Sequence, residues 1–244
     1  MRFQAERGGE SALVAPVIEK KALAGQIFDL LENRIISGQL NPGSSLVEED
    51  MAAEFGFSRS PVREALARLE RTMLVERVGP RLRRVVVPTS KFISDIYDTW
   101  AVIEVGRCYS SCVNSPASDH RRIDKLLRGM TQSLKQRDIS RHVELSGVFH
   151  DLLVSRCNNK YLADLHQDCQ RYVQWFSNIY FGKVDISASS LREHNEIARH
   201  YVDKDFLGLT DSVRRHIRRQ KNEVLAILMR SDTDAVSRST SSTA

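Results

Sequence analysis

The cations of one short stretch of this chain are all of one kind. Residues 58–90 carry eight basic side chains, every one of them arginine (Arg59, Arg63, Arg68, Arg71, Arg77, Arg81, Arg83 and Arg84), against three carboxylates, Glu64, Glu70 and Glu76. The preceding residues 19–57 reverse the balance, with three basic and seven acidic side chains. A planar guanidinium donates two parallel hydrogen bonds at once, so it matches phosphate oxygens and the guanine edge better than an ammonium does. A cluster of this kind on one segment is the electrostatic footprint of a duplex-DNA reader; the bland alternative is a solvated charged face. Seven histidines, His120, His142, His150, His166, His194, His200 and His216, form the other chemically capable set. Cys108 and Cys112 stand four apart on one helical face. Without a nearby Cys or His partner in sequence they are expected to pack in the core rather than hold a metal or a redox couple.

These groups need elements to position them. Leu23, Ile27, Leu30, Leu31 and Ile35 recur at the spacing of one amphipathic helix, which Gly38 and Pro42-Gly43 stop. A short helix follows from about Glu48 to Phe55, ended by Gly56. A third starts near Ser60, with Pro61 suited to the first helical position and Val62, Ala65, Leu66 and Leu69 on one face. Then VERVGPRLRRVVVP places β-prone residues on both sides of Gly79-Pro80, which predicts a two-stranded hairpin ending at Pro88. Three helices and a hairpin are the order of a winged helix-turn-helix. That order puts the arginines on the third helix and the hairpin, and favours DNA over the solvated face.

Beyond the hairpin only helical patterning remains, over 94–113, 119–136, 138–156, 160–181, 187–202 and 205–229, with breaks at Ser115-Pro116, Cys157-Asn158-Asn159, Gly182 and Asp203. Six helices joined by short loops predict an all-α antiparallel bundle. The expected organisation is a mainly α chain: a flexible arm over 1–18, a winged helix-turn-helix over 19–88, a linker over 88–93, a helical bundle over 94–230 and a disordered, Ser/Thr-rich tail over 231–244. Tyr172, Trp175, Phe176, Ile179 and Tyr180 share a helical face, which suits a core or a dimer interface better than a cofactor box.

Composition removes other classes. The 244 residues are 41% hydrophobic and 27% charged, with net charge +5, close to a soluble globular average. No run of eighteen apolar residues exists, so no transmembrane helix is expected. The first fifteen residues lack the apolar stretch of a secretory signal. Four cysteines make no disulfide scaffold, and a reducing cytoplasm is the expected location.

The segment LVEEDMAAEFGFSRSPVREALARLERTML, Leu46 to Leu74, closely resembles the DNA-binding signature of the GntR family of bacterial transcription regulators. Its most specific part runs from Phe57 to Leu66. The helical remainder resembles the FadR-like subfamily with its FCD ligand-binding domain, and the likeness extends over roughly residues 20–229. It implies DNA contacts at Ser58, Arg59, Ser60 and Arg63, from a recognition helix entering the major groove. Arg81 and Arg83, at the hairpin tip, would reach the backbone or minor groove. Glu49 departs from the family, which usually has arginine there, and an acidic side chain would repel phosphate.

The resemblance also implies a divalent metal held in the bundle by one Asp and three His. His150, His194 and His216 match the three imidazole positions, but the Asp position, four residues before His150, holds Ser146. Three imidazoles suit Zn2+ or Ni2+ and leave positions open for water or an effector carboxylate. The alternative is an apo pocket lined by polar residues. Trp100 stands where the family often has an effector-gripping arginine. It is expected as a core aromatic, with a pocket retuned toward a less anionic or aromatic effector as the alternative. Together these imply a homodimeric, sequence-specific regulator, more commonly a repressor, that reads a short pseudo-palindromic operator and answers to a small organic acid or related metabolite. The rival class is a metal-dependent enzyme using the three histidines. Against it, no positioned general base accompanies them in sequence, since Glu144 lies far around the helix from His150.

Overall fold

In the computed structural model the backbone is described over residues 15–180 and 188–241, and side chains over 23–138, 141–180 and 189–230. The chain divides into two compact units, Met1–Pro88 and Thr89–Ala244.

The first unit contains helices α1 (Ala15–Ile36), α2 (Glu48–Phe55) and α3 (Arg59–Arg71) and strands β1 (Ser45–Val47), β2 (Val75–Arg77) and β3 (Leu82–Val85). Its core is the meeting of two apolar stripes. Ala24, Ile27, Leu31 and Ile35 of α1 face Val62, Ala65, Leu66 and Leu69 of α3, all of them buried. The two helices thus cover each other along one side and leave the far side of α3 open. Gly56 caps α2 in the left-handed region, with φ at 68°, and donates its N–H to the carbonyl of Ala52. Only glycine enters that region without a Cβ penalty, so the sharp reversal between α2 and α3 is written into this position.

The hairpin forms as predicted, but it gains a third strand. The sheet order is β1-β3-β2, antiparallel throughout, with Leu46 opposite Arg83 and Arg77 opposite Arg83. Three residues of β1 are too short for a strand pattern to show in sequence. They pair because Leu46 is buried in the core and carries the backbone alongside β3.

The second unit consists of α4 (Ser90–Val113), α5 (Ala117–Lys135), α6 (Ile139–Val154), α7 (Lys160–Tyr180), α8 (Ala188–Val202) and α9 (Phe206–Ser241). Local capping sets the helix starts. Thr89 Oγ1 accepts from the Phe92 N–H at 3.1 Å, Asp138 Oδ1 from Arg141 at 2.9 Å, Asn159 Oδ1 from Leu162 at 3.1 Å and Asp205 Oδ1 from Gly208 at 3.1 Å. The Thr89 cap starts α4 at Ser90, so helix occupies most of the stretch read as a linker over 88–93. Among the described residues α4 packs against α6, α7, α8 and α9, which makes it the central helix of the bundle. Phe92 meets Tyr172 and Phe176 edge-on at 5.6 and 5.9 Å. Tyr172, Trp175 and Phe176 are buried, so that part of the aromatic stripe is core, while Ile179 and Tyr180 are half-buried. Cys108, Cys112, Cys157 and Cys169 are buried free thiols. Burial pushes the Cys108 and Cys112 thiols up, which is the inert, packed form.

The terminal segments differ from their reading. α1 begins at Ala15, inside the stretch read as an arm, and the backbone of α9 continues to Ser241, through most of the stretch read as a tail. Residues 1–14 and 242–244 lie outside the described residues, as does the break expected at Gly182. Among the described residues no helix is long and apolar enough to cross a membrane.

Candidate nucleic-acid interface and metal centre

α2, the Gly56 turn and α3 present one exposed edge. Ser58 is the N-cap of α3 with extended backbone, φ −71° and ψ 159°, and its side chain makes no capping bond. Ser58, Arg59, Ser60 and Arg63 are all exposed at this helix start. The unpaired N–H groups of a first turn and its positive dipole end favour a phosphate there. Arg81 is likewise exposed at the β2–β3 turn.

Other arginines have structural roles instead. Arg83 is only 2% exposed, and its Nη1 donates to Glu48 Oε1 at 2.7 Å while its Nε donates to Glu70 Oε2 at 3.3 Å. The expected DNA contact at Arg83 is therefore corrected. Strand alternation turns Arg83 inward, and two carboxylates take its donors. Arg77 donates to Glu70, Arg84 to Glu76, and Arg68 lies over the Phe28 ring at 4.6 Å. Periodicity assigns residues to elements, but the pairing register decides which face each strand residue takes.

Two carboxylates at the start of α2 meet α3. Glu49 forms an exposed ion pair with Arg59. Glu48 is buried and also accepts from Arg63 Nε at 3.1 Å. Burial works to raise the Glu48 pKa, but the bonds and charges of Arg83 and Arg63 outweigh it and hold it below the ordinary 4.5.

In the second unit, His150 of α6, His194 of α8 and His216 of α9 converge, each offering a ring nitrogen within 4.8 Å of the others. All three are buried. His150 Nδ1 faces Glu104 Oε1 at 3.0 Å, and His216 Nδ1 faces Glu193 Oε2 at 2.7 Å. A carboxylate only accepts, so both Nδ1 atoms carry protons, and in a neutral ring the Nε2 atom then presents a lone pair. Those Nε2 atoms stand 3.2 Å apart. Two imidazole nitrogens on one tetrahedral zinc, each about 2.0–2.1 Å from it, stand about 3.4 Å apart. The residues present therefore fit a divalent cation. Burial, followed by the neighbouring histidines, pushes His194 and His216 well below the ordinary imidazole value of 6.5, which leaves their rings neutral. The Gln220 amide donates to His216 Nε2 at 3.0 Å, so it is the group a cation would displace.

Ser146 lies one turn before His150, with its Oγ 3.3 Å from His194 Nε2. It bonds to one of the three imidazoles rather than supplying a charge of its own. Around the imidazoles stands a shell that sequence reading missed. His166 Nε2 donates to Glu104 Oε2 at 2.5 Å, and Arg219 holds Glu193 at 2.8 Å. Burial opposes ionisation of Glu104, but its two histidine bonds prevail and hold its pKa down to about 2. Carboxylates behind ligating imidazoles fix tautomer and ring orientation. Their local signal in sequence is no more than Glu193 standing beside His194, because the pairings themselves join different helices. Trp100 is 4% exposed, with its ring 6.0 Å from both Tyr97 and His150 and its Nε1 without a partner among the described residues. It is a core aromatic that also touches the histidine cluster.

Residues 23–81 match the bacterial regulatory proteins of the gntR family. Residues 95–219, more than half the chain, match the FCD domain. The chain belongs to the GntR family and carries an FCD domain. It is 36% identical over 151 residues to the gluconate operon transcriptional repressor of Bacillus licheniformis, a match spanning 60% of each chain. The fold is that of McbR/YncC from E. coli, with TM-score 0.68 and 17% identity over 84% of this chain and 97% of that one. A GntR regulator from Rhodococcus sp. RHA1 superposes with TM-score 0.67 at 20% identity, over 84% of this chain and 98% of that one.

Proposed function

We propose that this GntR-family chain is a homodimeric, sequence-specific DNA-binding regulator of transcription, more commonly a repressor, acting in the cytoplasm, where its DNA lies. The observation that carries the reading is the exposed start of α3, where Ser58, Arg59, Ser60 and Arg63 project together. The two serines and the helix N-terminus meet phosphate, Arg59 and Arg63 reach base edges, and Arg81 meets the backbone. Two copies read half-sites of a short pseudo-palindrome, about 10 bp apart or less.

His150, His194 and His216 hold Zn2+ or Ni2+, which would act as a Lewis acid toward a ligand oxygen. Without a carboxylate at Ser146 the centre keeps its full positive charge and an open position, which suits a carboxylate-bearing metabolite. That the relative in Bacillus licheniformis governs a gluconate operon is consistent with a sugar acid. Effector binding then needs to favour one arrangement of the protein by only a few kcal/mol to change operator occupancy. The metal-dependent enzyme is disfavoured because Glu104 and Glu193, the carboxylates beside the histidines, are both occupied by imidazole donors and cannot serve as a free base.

A gel-shift series with duplexes selected from a random pool tests the DNA reading. Enrichment of a palindromic sequence, abolished in Arg59→Ala with Arg63→Ala, is expected; a chain that enriches no sequence refutes it. Elemental analysis of the purified chain against His216→Ala tests the metal.

A further inference from the structure

The two carboxylates that open α2 treat α3 differently. Glu49 is exposed and meets an exposed Arg59, an arrangement that holds neither partner firmly. Glu48 is 1% exposed. One of its oxygens accepts from Arg83 Nη1 at 2.7 Å and the other from Arg63 Nε at 3.1 Å. Arg83 in turn donates to Glu70 at 3.3 Å, so the carboxylate is braced from behind by β3. The Arg63 side chain remains 61% exposed. Its guanidinium is therefore at the surface, tethered by Nε, with no carboxylate on its two Nη groups among the described residues.

We propose that Glu48 is a positioning residue for base selection, holding Arg63 by Nε so that its outer Nη fork faces a guanine edge. The inference rests on the DNA-binding reading above. An arginine has two ways to present a bidentate fork, side-on through Nε and one Nη, or end-on through both Nη groups. Glu48 consumes the first and leaves the second, which points along the side chain into the groove. A guanidinium already held gives up less rotamer freedom when it binds. Glu48 does not repel the duplex as a lone carboxylate would, because two guanidiniums share its charge. Through Arg83 the wing also sets the aim of the recognition helix without that arginine touching DNA.

The test uses the full chain and a random duplex library, reading the base preference at each position of the enriched sequence. Arg63→Ala marks the base pair that Arg63 reads. Glu48→Gln keeps the volume and removes the charge that both arginines hold. Preference at that base pair is expected to fall about tenfold, the scale of one bidentate contact, with the loss confined to that position. Glu48→Gln added to Arg63→Ala changes that position no further, because the two act as one unit. A profile identical to wild type overturns the proposal, and so does a uniform loss at every position, the mark of a merely structural role. Should Glu48→Gln fail to fold, the wild-type chain is read by NMR, with the Arg63 Nε–H assigned through Arg63→Lys. Exchange of that proton at least about tenfold slower than the Arg59 Nε–H supports the tether, and equal rates overturn it. A wild-type chain that enriches no sequence removes the DNA-binding reading and this inference with it. Enrichment with an unchanged Glu48→Gln profile removes the inference alone.

Discussion

Arg59 and Arg63 stand one turn apart on α3, and the carboxylate each meets sets what each can do. On the proposed DNA-binding reading, Arg59 must leave Glu49 to reach a base edge when DNA arrives. Glu49→Gln is therefore expected to tighten binding to every duplex alike, by about 0.2–1 kcal/mol, the worth of an exposed pair, as read by gel shift on specific and random DNA. Arg63→Ala is expected to cost about 1–3 kcal/mol on the selected sequence and to relax preference at one base pair. A third residue contributes to acid stability. Asp119 is 1% exposed and takes two bonds from Arg156, at 2.7 and 3.0 Å. Those bonds hold its carboxyl below the ordinary 3.8. The folded value lies below the unfolded one, so the stabilisation is present above the unfolded value and fades as pH falls through the folded one. Asp119→Asn is expected to lower the melting temperature at pH 7 and to flatten the acid limb of the melting curve below about pH 4; parallel acid limbs in the two proteins would contradict it.

At the scale of elements, two constraints carry the architecture. The α2–α3 reversal depends on Gly56 at φ 68°, where an added Cβ meets nothing within 4 Å among the described residues. Gly56→Ala therefore pays only backbone strain, about 1–2 kcal/mol, visible in chemical denaturation as a lower midpoint with an unchanged slope. The histidine centre joins three helices, α6, α8 and α9, through one residue each. A cation bound there ties all three together, and it stabilises the folded chain by about 2.7 kcal/mol when its free concentration is a hundredfold above Kd. Chelation is expected to lower the melting temperature of the wild-type chain and to leave that of His216→Ala unmoved, as followed by calorimetry with and without added zinc or nickel.

For the whole molecule, a regulator that neutralises phosphates with arginine must lose affinity as salt rises, with a log–log slope of about −0.9 per phosphate contacted. Replacing Arg81 is expected to make that slope shallower by about one contact without changing base preference, in a fluorescence titration across ionic strength. Much of this organisation was legible from order and periodicity. The apolar stripe of Leu23 to Ile35, the Gly56 stop, Ser58 through Arg63 at a helix start, the Gly79-Pro80 turn and six helical segments are local signals, because hydrophobic spacing and backbone preference act within a few residues. The histidine positions were legible through the family motif. What the amino-acid order could not settle was every pairing between distant elements. The inward turn of Arg83 depends on the β1–β3 and β2–β3 registers. Glu104 meets His150 and His166 from residues 46 and 62 positions away, and Glu48 meets Arg83 across 35. Contacts of that separation exist only once the helices and strands have packed, since burial and partner geometry, not residue type, decide whether a charged side chain faces a ligand, an ion partner or water.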